Sequence, residues 1–485
     1  MTSNLKQKTI GGLFWSFIDN FAKLGIQFIV GIILARILSP REFGLIGMLT
    51  IFIAISQTIV ESGFSTALIR KRECSLADYS TVFYFNLLVS AALYIFLFFS
   101  SGLIGRFFEE PELENMLKVF GIILIINALG IIQQTIFSKE INFKVQTYVT
   151  LVASVGSGVL AITTALMGLG VWSLVILNLS RACLNTLFLW IWSVWRPIRI
   201  FSKESFFELF GFGSKLLISA LIETIYQNVY YLIIGKYFSA MELGFYTRAD
   251  QFRNLPSKNI MGVIQRVSYP VLSSIQDEKE RLKSNYKKLI RSTMFITFVM
   301  MLGMAAIAKP MVIALVGEKW LPSVPYLQLL CFVGMFYPLQ ALNLNMLNVK
   351  GRSDLFLRLE IIKKIIAIPV ILVGIFIGIK AMIIGMIINS VFAYGLNSFY
   401  SGKLIGYSTK QQIIDILPSF LFSSLMAIIV FMVGTFIPYS NWIILIAQLG
   451  LGALIVFIFG ELLNFGDYQY LKRIVMEQWI QKRSS

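Results

Sequence analysis

The sequence predicts an all-α polytopic membrane protein with about fourteen transmembrane helices. Hydrophobic residues make up 57% of the chain, charged residues only 14%, and the mean hydropathy is +0.77. Soluble globular proteins carry about 25% charged residues. Apolar runs of roughly 20 residues recur along the whole chain, and a helix of that length crosses a hydrocarbon core about 30 Å thick. Lipid is therefore the expected solvent of this chain.

The predicted spans form a group of six, a second group of six and a final pair. The first group covers 11–34, 43–65, 81–101, 116–136, 147–167 and 171–194. The second group covers 212–235, 243–268, 290–312, 326–349, 359–377 and 381–401. The final pair, 416–437 and 442–460, contains no charged residue. The predicted domains are two six-helix lobes, two additional helices and a cytoplasmic interfacial tail: 1–200, 201–405, 406–464 and 465–485.

An internal repeat relates the two lobes. ARILSPREFGLIG at 35–47 aligns without gaps with GKYFSAMELGFYT at 235–247, and the serine, glutamate and glycine of the motif are identical. The motif follows the first span in one copy and the seventh in the other, so both copies enter the membrane in the same direction. Parallel repeats place a shared cavity between two bundles. We therefore expect two lobes that work by alternating access.

Basic residues define the expected orientation. With a cytoplasmic N-terminus, the inner loops hold about 27 Lys and Arg and the outer loops about 11, as the positive-inside rule requires. Both termini are then cytoplasmic in the inner membrane. The net charge of +17 is spread over these short loops, so membrane topology explains it better than nucleic-acid binding does.

Several catalytic classes are excluded by composition. The chain has no histidine, and its three cysteines, Cys74, Cys183 and Cys331, lack zinc-ligand spacing. No connection is long enough for a soluble catalytic domain. We expect a transporter without a metal or an organic cofactor, and not an enzyme.

Charged and polar residues within the first, second, seventh and eighth spans are the candidate site. Charge at membrane depth costs about 2.5 kcal/mol or more and normally faces a protein interior or a wet cavity. The basic candidates for substrate binding are Lys23, Lys215, Arg248, Arg253, Lys258 and Arg266. The polar candidates for substrate contacts are Gln27, Tyr226, Gln227, Asn228 and Tyr230. The acidic residues, which are candidates for H⁺ or Na⁺ coupling if transport is ion-driven, are Asp19, Glu61, Glu223 and Asp250.

Three interpretations of these charges stay open: structural ion pairs, substrate contacts and ion coupling. Asp19 and Lys23 stand four residues apart, a spacing at which they can pair with each other. The basic residues outnumber the acidic ones in these four spans, which favours an anionic substrate. The sharpest hypothesis is that Arg248, Arg253 and Lys258 bind an anionic group of the substrate such as phosphate.

A family resemblance rests on ARILSPREFGLIGM (35–48), GFYTRADQFRNLP (244–256), VIQRVSYPVLS (263–273) and the fourteen spans. With these features the chain resembles the bacterial polysaccharide-transport flippases of the colanic acid and lipopolysaccharide O-antigen exporter type. Their superfamily also contains multidrug and toxin extrusion proteins and peptidoglycan-precursor flippases. The resemblance implies export of an undecaprenyl-diphosphate-linked oligosaccharide repeat unit for lipopolysaccharide, capsular or exopolysaccharide synthesis.

The resemblance supplies no catalytic motif, so the site residues come from the charges alone. The implied partners are the lipid-linked oligosaccharide, membrane lipids, a polysaccharide polymerase and glycosyltransferases. Two alternatives remain: a multidrug or cation antiporter of the same fold, and a membrane O-antigen polymerase or ligase. The excess of cations in the eighth span opposes the first, and the short outer loops oppose the second.

Overall fold

A computed structural model describes residues 2–61, 63–436 and 438–483. Seventeen α-helices and one short 3-10 helix occupy these described ranges. The helices are α1 (Thr2–Ile37), α2 (Pro40–Glu61), α3 (Phe64–Arg70), α4 (Leu76–Phe108), α5 (Glu112–Phe120), α6 (Ile123–Lys139), α7 (Phe143–Leu166), α8 (Trp172–Trp192), α9 (Lys203–Tyr237), α10 (Ala240–Ser274), α11 (Lys279–Val316), α12 (Ser323–Val349), α13 (Ser353–Ile377), α14 (Ile379–Ile405), α15 (Thr409–Phe436), α16 (Asn441–Leu462) and α17 (Gly466–Arg483).

The all-helical fold class is confirmed, and each predicted span coincides with a helix or a closely spaced pair of helices. Twelve of the described segments are long and apolar enough to cross a membrane. The helices α10 and α13 occupy two further predicted spans but are not among these twelve. Their charged residues explain why, since α10 alone carries Arg248, Asp250 and Arg253. The count of fourteen membrane-spanning helices therefore stays a prediction.

The chain divides into two compact units, 1–244 and 245–485. In the first unit α1 packs on α7, α7 on α8, α8 on α6, α6 on α4, α4 on α2 and α2 on α9. In the second unit α11 contacts α12, α15 and α16, while α14 contacts α12 and α13. The predicted lobes end at 200 and 405, whereas packing groups α9 with the first unit. The repeat and the contacts measure different properties, so the lobe boundaries stay a prediction.

Local sequence sets many helix ends. Ser75 begins α4 with a capping box, in which its hydroxyl accepts from the Asp78 N–H at 3.1 Å and its own N–H donates to the Asp78 carboxylate at 2.8 Å. Gly406 ends α14 at a φ of 69°, a left-handed conformation that glycine adopts without steric cost. These signals fix where the helices begin and end.

The repeated motif forms the same turn twice. The helices α1 and α9 end at Ile37 and Tyr237, and α2 and α10 begin at Pro40 and Ala240. In the first copy the Ser39 hydroxyl donates to Glu42 at 2.8 Å. In the second copy the Ser239 hydroxyl accepts from the Glu242 N–H at 3.1 Å.

The two turns contact each other at their glycines. A Cβ on Gly44 would lie 1.6 Å from the Ala240 carbonyl oxygen, and a Cβ on Gly244 would lie 1.9 Å from the Pro40 carbonyl oxygen. Each glycine thus touches the first residue of the helix that carries the other glycine. This reciprocal contact supports the repeat found in the sequence.

An acidic turn after α4 forms ion pairs with residues beside the two repeated turns. Lys236 at the end of α9 pairs with Glu109 at 2.9 Å, and Arg41 in α2 pairs with Glu110 at 2.5 Å and Glu112 at 3.2 Å. The hydrogen bond from Lys236 lowers the pKa of the Glu109 carboxyl. The carboxylate therefore stays charged, and keeps its partner, at any pH above its usual titration range.

Large apolar side chains cover the outer surface of many helices. On α4, Phe96, Phe99 and Leu103 are exposed, and they follow one another at helical spacing. Water would make such a stripe unfavourable, but lipid tails solvate it. The described part of the chain is thus a multi-span membrane protein, as predicted.

Candidate functional site

A polar pocket lies between the helices of the first unit. Its volume is about 320 Å³, and α1, α2, α6, α7 and α8 contribute to its wall. Its long polar and charged lining side chains are Lys23, Gln57, Glu61, Asn127, Gln134, Asn178, Arg181 and Asn185. We call this set the polar pocket. Its size falls in the roughly 300–1,000 Å³ range of small-ligand sites.

The amides of the polar pocket keep hydrogen-bonding capacity for a ligand. Asn178 donates to the Leu174 carbonyl at 2.8 Å, which leaves its side-chain oxygen available. Within the described ranges, the side chains of Asn127, Gln134 and Asn185 form no hydrogen bond to protein. Amides at membrane depth with no protein partner need water or a hydroxyl-rich ligand.

The charges of the polar pocket are not neutralised within it. It holds the cations of Lys23 and Arg181 and one carboxylate, that of Glu61. None of the three forms an ion pair within 4 Å in the described part of the chain, and the Nε of Arg181 is buried without a hydrogen-bond partner. The pocket therefore carries a net positive charge.

The predicted pairing of Asp19 with Lys23 is not formed as an ion pair. Lys23 lines the polar pocket, while one buried carboxyl oxygen of Asp19 has no hydrogen-bond partner among the described residues. Spacing along a helix permits such a pair, but Lys23 lines the polar pocket without coming within ion-pairing distance of Asp19.

The charged region of α10 lies in the second unit and is buried. Arg248 is only 4% exposed and Asp250 only 8%. Arg253 pairs with Asp250 at 2.6 Å, and Asp250 also accepts from the Asn254 amide at 2.8 Å. This pair fits the interpretation of the charges as structural ion pairs.

Arg248 has contacts of a different kind. Its guanidinium stacks over the ring of Trp320 at 5.0 Å from the centroid and donates to Gln251 at 2.9 Å. The stem of Arg253 packs against α12, where a Cβ on Gly334 would lie 2.9 Å from the Arg253 Cγ. Protein thus buries Arg248 and packs against the stem of the half-buried Arg253. The side chains of Lys258 and Arg266 lie outside the described residues.

The polar candidates of α9 do not line the polar pocket. Gln227 donates to Glu223 at 2.8 Å on an exposed face, and Asn228 donates to the Thr224 carbonyl at 2.8 Å. Tyr230 is buried and Lys215 is exposed. Gln27 and Tyr226 are half-buried. Of the predicted site residues whose side chains the structure describes, only Lys23 and Glu61 line the polar pocket.

Sequence reasoning missed the residues of the polar pocket that come from α6 and α8. Asn127 and Gln134 come from α6, and Asn178, Arg181 and Asn185 come from α8. Each is an isolated polar residue in an otherwise apolar run. Arg181, a single cation in the middle of the sixth predicted span, is the signal that could have found the site.

An apolar groove lies in the second unit, between α11, α15 and α16. Its volume is about 570 Å³, and its wall includes Met300, Gly303, Met426, Gly452 and Phe457. Such a surface suits a hydrocarbon chain. No group of three or more metal-ligating side chains occurs in the described ranges.

Comparisons with known proteins agree with this architecture. Residues 33–325 match the model of a family described as polysaccharide biosynthesis protein. The lipopolysaccharide biosynthesis protein WzxC of Escherichia coli K12 is 26% identical over 426 residues, which cover 86% of each chain. The succinoglycan biosynthesis transport protein ExoT of Rhizobium meliloti is 24% identical and covers 68% of this chain and 67% of its own.

A solved structure shares the fold. The lipid II flippase MurJ in an inward closed conformation superposes with a TM-score of 0.75 at 16% identity, covering 94% of this chain and 98% of MurJ. At this identity the likeness establishes the fold alone. Because the family model covers more than half of the sequence, this chain belongs to the polysaccharide biosynthesis protein family, with a MurJ-like helical fold.

Proposed function

We propose that this protein moves a lipid-linked oligosaccharide from the cytoplasmic to the periplasmic leaflet of the bacterial inner membrane. The observation that carries the proposal is the polar pocket, a cationic and amide-rich cavity inside a bundle of apolar helices. Such a cavity solvates a polar headgroup at a depth where lipid cannot. Membership of the family and the similarity to the transport protein ExoT support the same activity.

Three parts of the substrate have matching surfaces. Amide side chains of the polar pocket suit sugar hydroxyls, and the apolar groove suits a polyprenyl chain. Arg248, Arg253 and Lys258 are the proposed ligands of the diphosphate, because guanidinium and ammonium groups bind phosphate oxygens strongly. Alternating access past a fixed site would carry the headgroup across.

The proposal also covers the energy source of transport, the partner enzymes and the orientation of the termini. If the transport is driven by a proton or sodium gradient, the carboxylates of Asp19, Glu61, Glu223 and Asp250 are the candidates for coupling. A polymerase and glycosyltransferases are the proposed partners, since they would use and supply the lipid-linked repeat unit. Both termini are proposed to be cytoplasmic.

The test uses a strain that lacks this protein. We expect lipid-linked repeat units to accumulate in the cytoplasmic leaflet and to disappear when the wild-type chain is restored, as measured by lipid extraction and glycan analysis. Restoration of surface polysaccharide without any such accumulation in the deleted strain would contradict the proposal.

Variants of Arg253 distinguish a role in diphosphate binding from a structural role. Removing one partner of a buried ion pair costs about 3–5 kcal/mol, so Arg253→Gln alone lowers folded protein if the pair with Asp250 is structural. Arg253→Gln with Asp250→Asn removes both charges and should restore abundance. If Arg253 binds the diphosphate, the double variant is abundant but still does not export. Full export by the double variant would assign Arg253 to structure alone.

A further inference from the structure

A second polar cavity lies in the second unit, where α17 packs against α11. Its volume is about 330 Å³. The charged and hydrogen-bonding side chains in its wall include Ser284, Lys287, Lys288, Arg291, Asp467 and Tyr470. We call it the basic cavity, because these side chains supply three cations against one carboxylate. The proposed transport function does not use it.

An ion pair joins the two helices at the basic cavity and leaves donors for a ligand. The Nε of Arg291 donates to one carboxylate oxygen of Asp467 at 2.8 Å, and the Ser419 hydroxyl donates to the other at 2.7 Å. Both oxygens of this buried carboxylate therefore have protein partners. The terminal Nη groups of Arg291 form no hydrogen bond in the described part of the chain, so they remain available to an anion.

Lys288 gives the basic cavity an uncompensated positive charge. Among the described residues its ammonium group has no carboxylate within 4 Å and no hydrogen-bond acceptor, whereas Lys287 pairs with Asp415 at 2.8 Å. Once the two ion pairs are counted as neutral, one positive charge is left. A phosphodiester carries one negative charge and several acceptor oxygens, so it matches both the charge and the donors of this cavity.

The position of the basic cavity along α11 indicates a lipid as the source of the phosphate. Charged residues are frequent in α11 up to Arg291, and the following stretch 292–308 contains none. The cavity therefore lies where the helix passes from water into hydrocarbon, which is the level of phospholipid headgroups. The wall of the apolar groove begins at Val299, roughly 10 Å beyond Ser292 along the same helix. Acyl chains of a lipid held in the cavity would lie beside this apolar surface.

We propose that the basic cavity binds the phosphodiester headgroup of an anionic membrane phospholipid. Lys288 and the Nη groups of Arg291 bind the phosphate oxygens, and the hydroxyls of Ser284 and Tyr470 donate to the same headgroup. A zwitterionic lipid fits less well, because its own ammonium group would lie near Lys288. Since the ligand touches both helices, it holds α17 against α11. This lipid is a resident of the membrane and is not the transported substrate.

A titration in detergent tests the proposal. Full-length protein is mixed with phosphatidylglycerol, phosphatidylcholine or glycerol 3-phosphate, and thermal unfolding reports binding through its dependence on ligand concentration. We expect phosphatidylglycerol to raise the unfolding temperature of the wild type at lower concentrations than the other two do. Lys288→Gln should weaken the apparent affinity for phosphatidylglycerol by about fivefold, the effect of losing one ion pair at a partly exposed site.

Two further variants separate a specific site from general attraction to negative charge. Lys279→Gln is the matched control, since it removes the same charge from the first residue of α11, outside the cavity, and should bind phosphatidylglycerol like wild type. Tyr470→Phe removes one hydroxyl from the cavity and should weaken binding without a change of charge. Equal losses in Lys279→Gln and Lys288→Gln, or unchanged affinity in both cavity variants, would overturn the proposal.

The lipid arms of the titration identify the ligand. Equal stabilisation by phosphatidylcholine would show that the negative charge of the lipid is not recognised. Binding of glycerol 3-phosphate at concentrations as low as those of phosphatidylglycerol would assign the cavity to a soluble anion instead. Either result contradicts an anionic phospholipid site.

Hydrogen exchange tests where the lipid binds. Phosphatidylglycerol should slow exchange of the backbone amides at 467–473 in α17 of the wild type, because a ligand held between α11 and α17 opposes local opening. The same amounts of lipid should slow it less in Lys288→Gln. Unchanged exchange in the wild type with phosphatidylglycerol at a saturating concentration would contradict the location. The accumulation assay for transport is separate, so the transport function stands or fails independently of these results.

Discussion

Gly44 and Gly244 show how one residue type permits a close backbone contact between the two repeat copies. Both are positions where a Cβ would overlap a carbonyl oxygen of the opposite helix start, at 1.6 Å and 1.9 Å. Real Cβ atoms do not approach backbone so closely, so only glycine allows the crossing. The identical Ser, Glu and Gly of the two motifs thus have a structural reason: they form and pack the same turn twice.

Alanine at Gly44 should destabilise the protein. The added methyl group cannot be accommodated unless the starts of α2 and α10 separate, and overpacking of this kind costs about 1–3 kcal/mol. We expect a lower apparent unfolding temperature for Gly44→Ala in a thermal unfolding assay of purified protein. Gly25→Ala in α1 is the control, since no atom lies within 4 Å of a Cβ there. Equal unfolding temperatures for the two variants would contradict the close contact at Gly44.

Isolated polar residues in apolar runs line the polar pocket, although they are inconspicuous in the sequence. Arg181 and Asn127 are single interruptions of apolar runs, and neither changes the prediction of a span. Their importance appears only when α6 and α8 place them in one cavity. By contrast, the dense charges of α10 attract attention in the sequence, yet the structure gives Arg253 a protein partner in Asp250.

At the scale of elements, α10 and α13 show how a charged helix is accommodated beside apolar ones. The helix α10 buries Arg248 and Asp250, and in α13 Lys363 pairs with Glu360 three residues earlier. Pairing within one helix reduces the cost of placing the charge at membrane depth. Hydropathy averages cannot include this compensation, because they count each charged residue alone.

The apolar groove between α11, α15 and α16 can be filled without a clash. A Cβ on Gly452 would lie 3.6 Å from a Val430 methyl group, an ordinary contact distance, so a leucine there would extend into the groove. We expect Gly452→Leu to reduce export of the lipid-linked glycan by excluding the polyprenyl chain, while the unfolding temperature stays near that of wild type. Export is measured by the accumulation assay described above.

Gly450→Leu is the matched control for the groove. It changes the same helix two residues away, at a position where no atom lies within 4 Å of a Cβ. It should export normally. A normal export rate for Gly452→Leu as well would show that the polyprenyl chain does not use the groove.

For the whole molecule, the order of helices makes a strict prediction of sidedness. If every predicted span crosses the membrane, successive connections between helices lie on alternate sides of it. The helices α10 and α13 must then cross in spite of their charges. Reporter fusions after Ser39, Pro111, Ala240 and Glu318 should be periplasmic, and fusions after Arg72, Lys203 and Lys283 cytoplasmic. A cytoplasmic signal after Glu318 together with a periplasmic one after Lys283 would remove α10 from the spans.

Composition, apolar run length and the repeated motif were enough to predict lipid as the solvent, the helices and the family. Composition and apolar run length require a membrane protein, because about 20 apolar residues in succession have no other favourable environment. The motif repeated at 35–47 and 235–247 predicted two similar turns, and its residues also carry the family resemblance. These properties are local or periodic along the chain, so they can be read without coordinates.

Which side chains share a cavity could be known only from how the helices pack. Lys23, Glu61 and Arg181 are distant in sequence and come from three helices, and α1, α7, α8, α6 and α2 must pack in that arrangement before they line one pocket. The same is true of the pairing choices, since Lys23 lines the polar pocket without an ion pair to Asp19, while Arg253 pairs with Asp250. Helix spacing allows either outcome. The physical difference lies in what each helix packs against, and that depends on contacts between residues far apart in the chain.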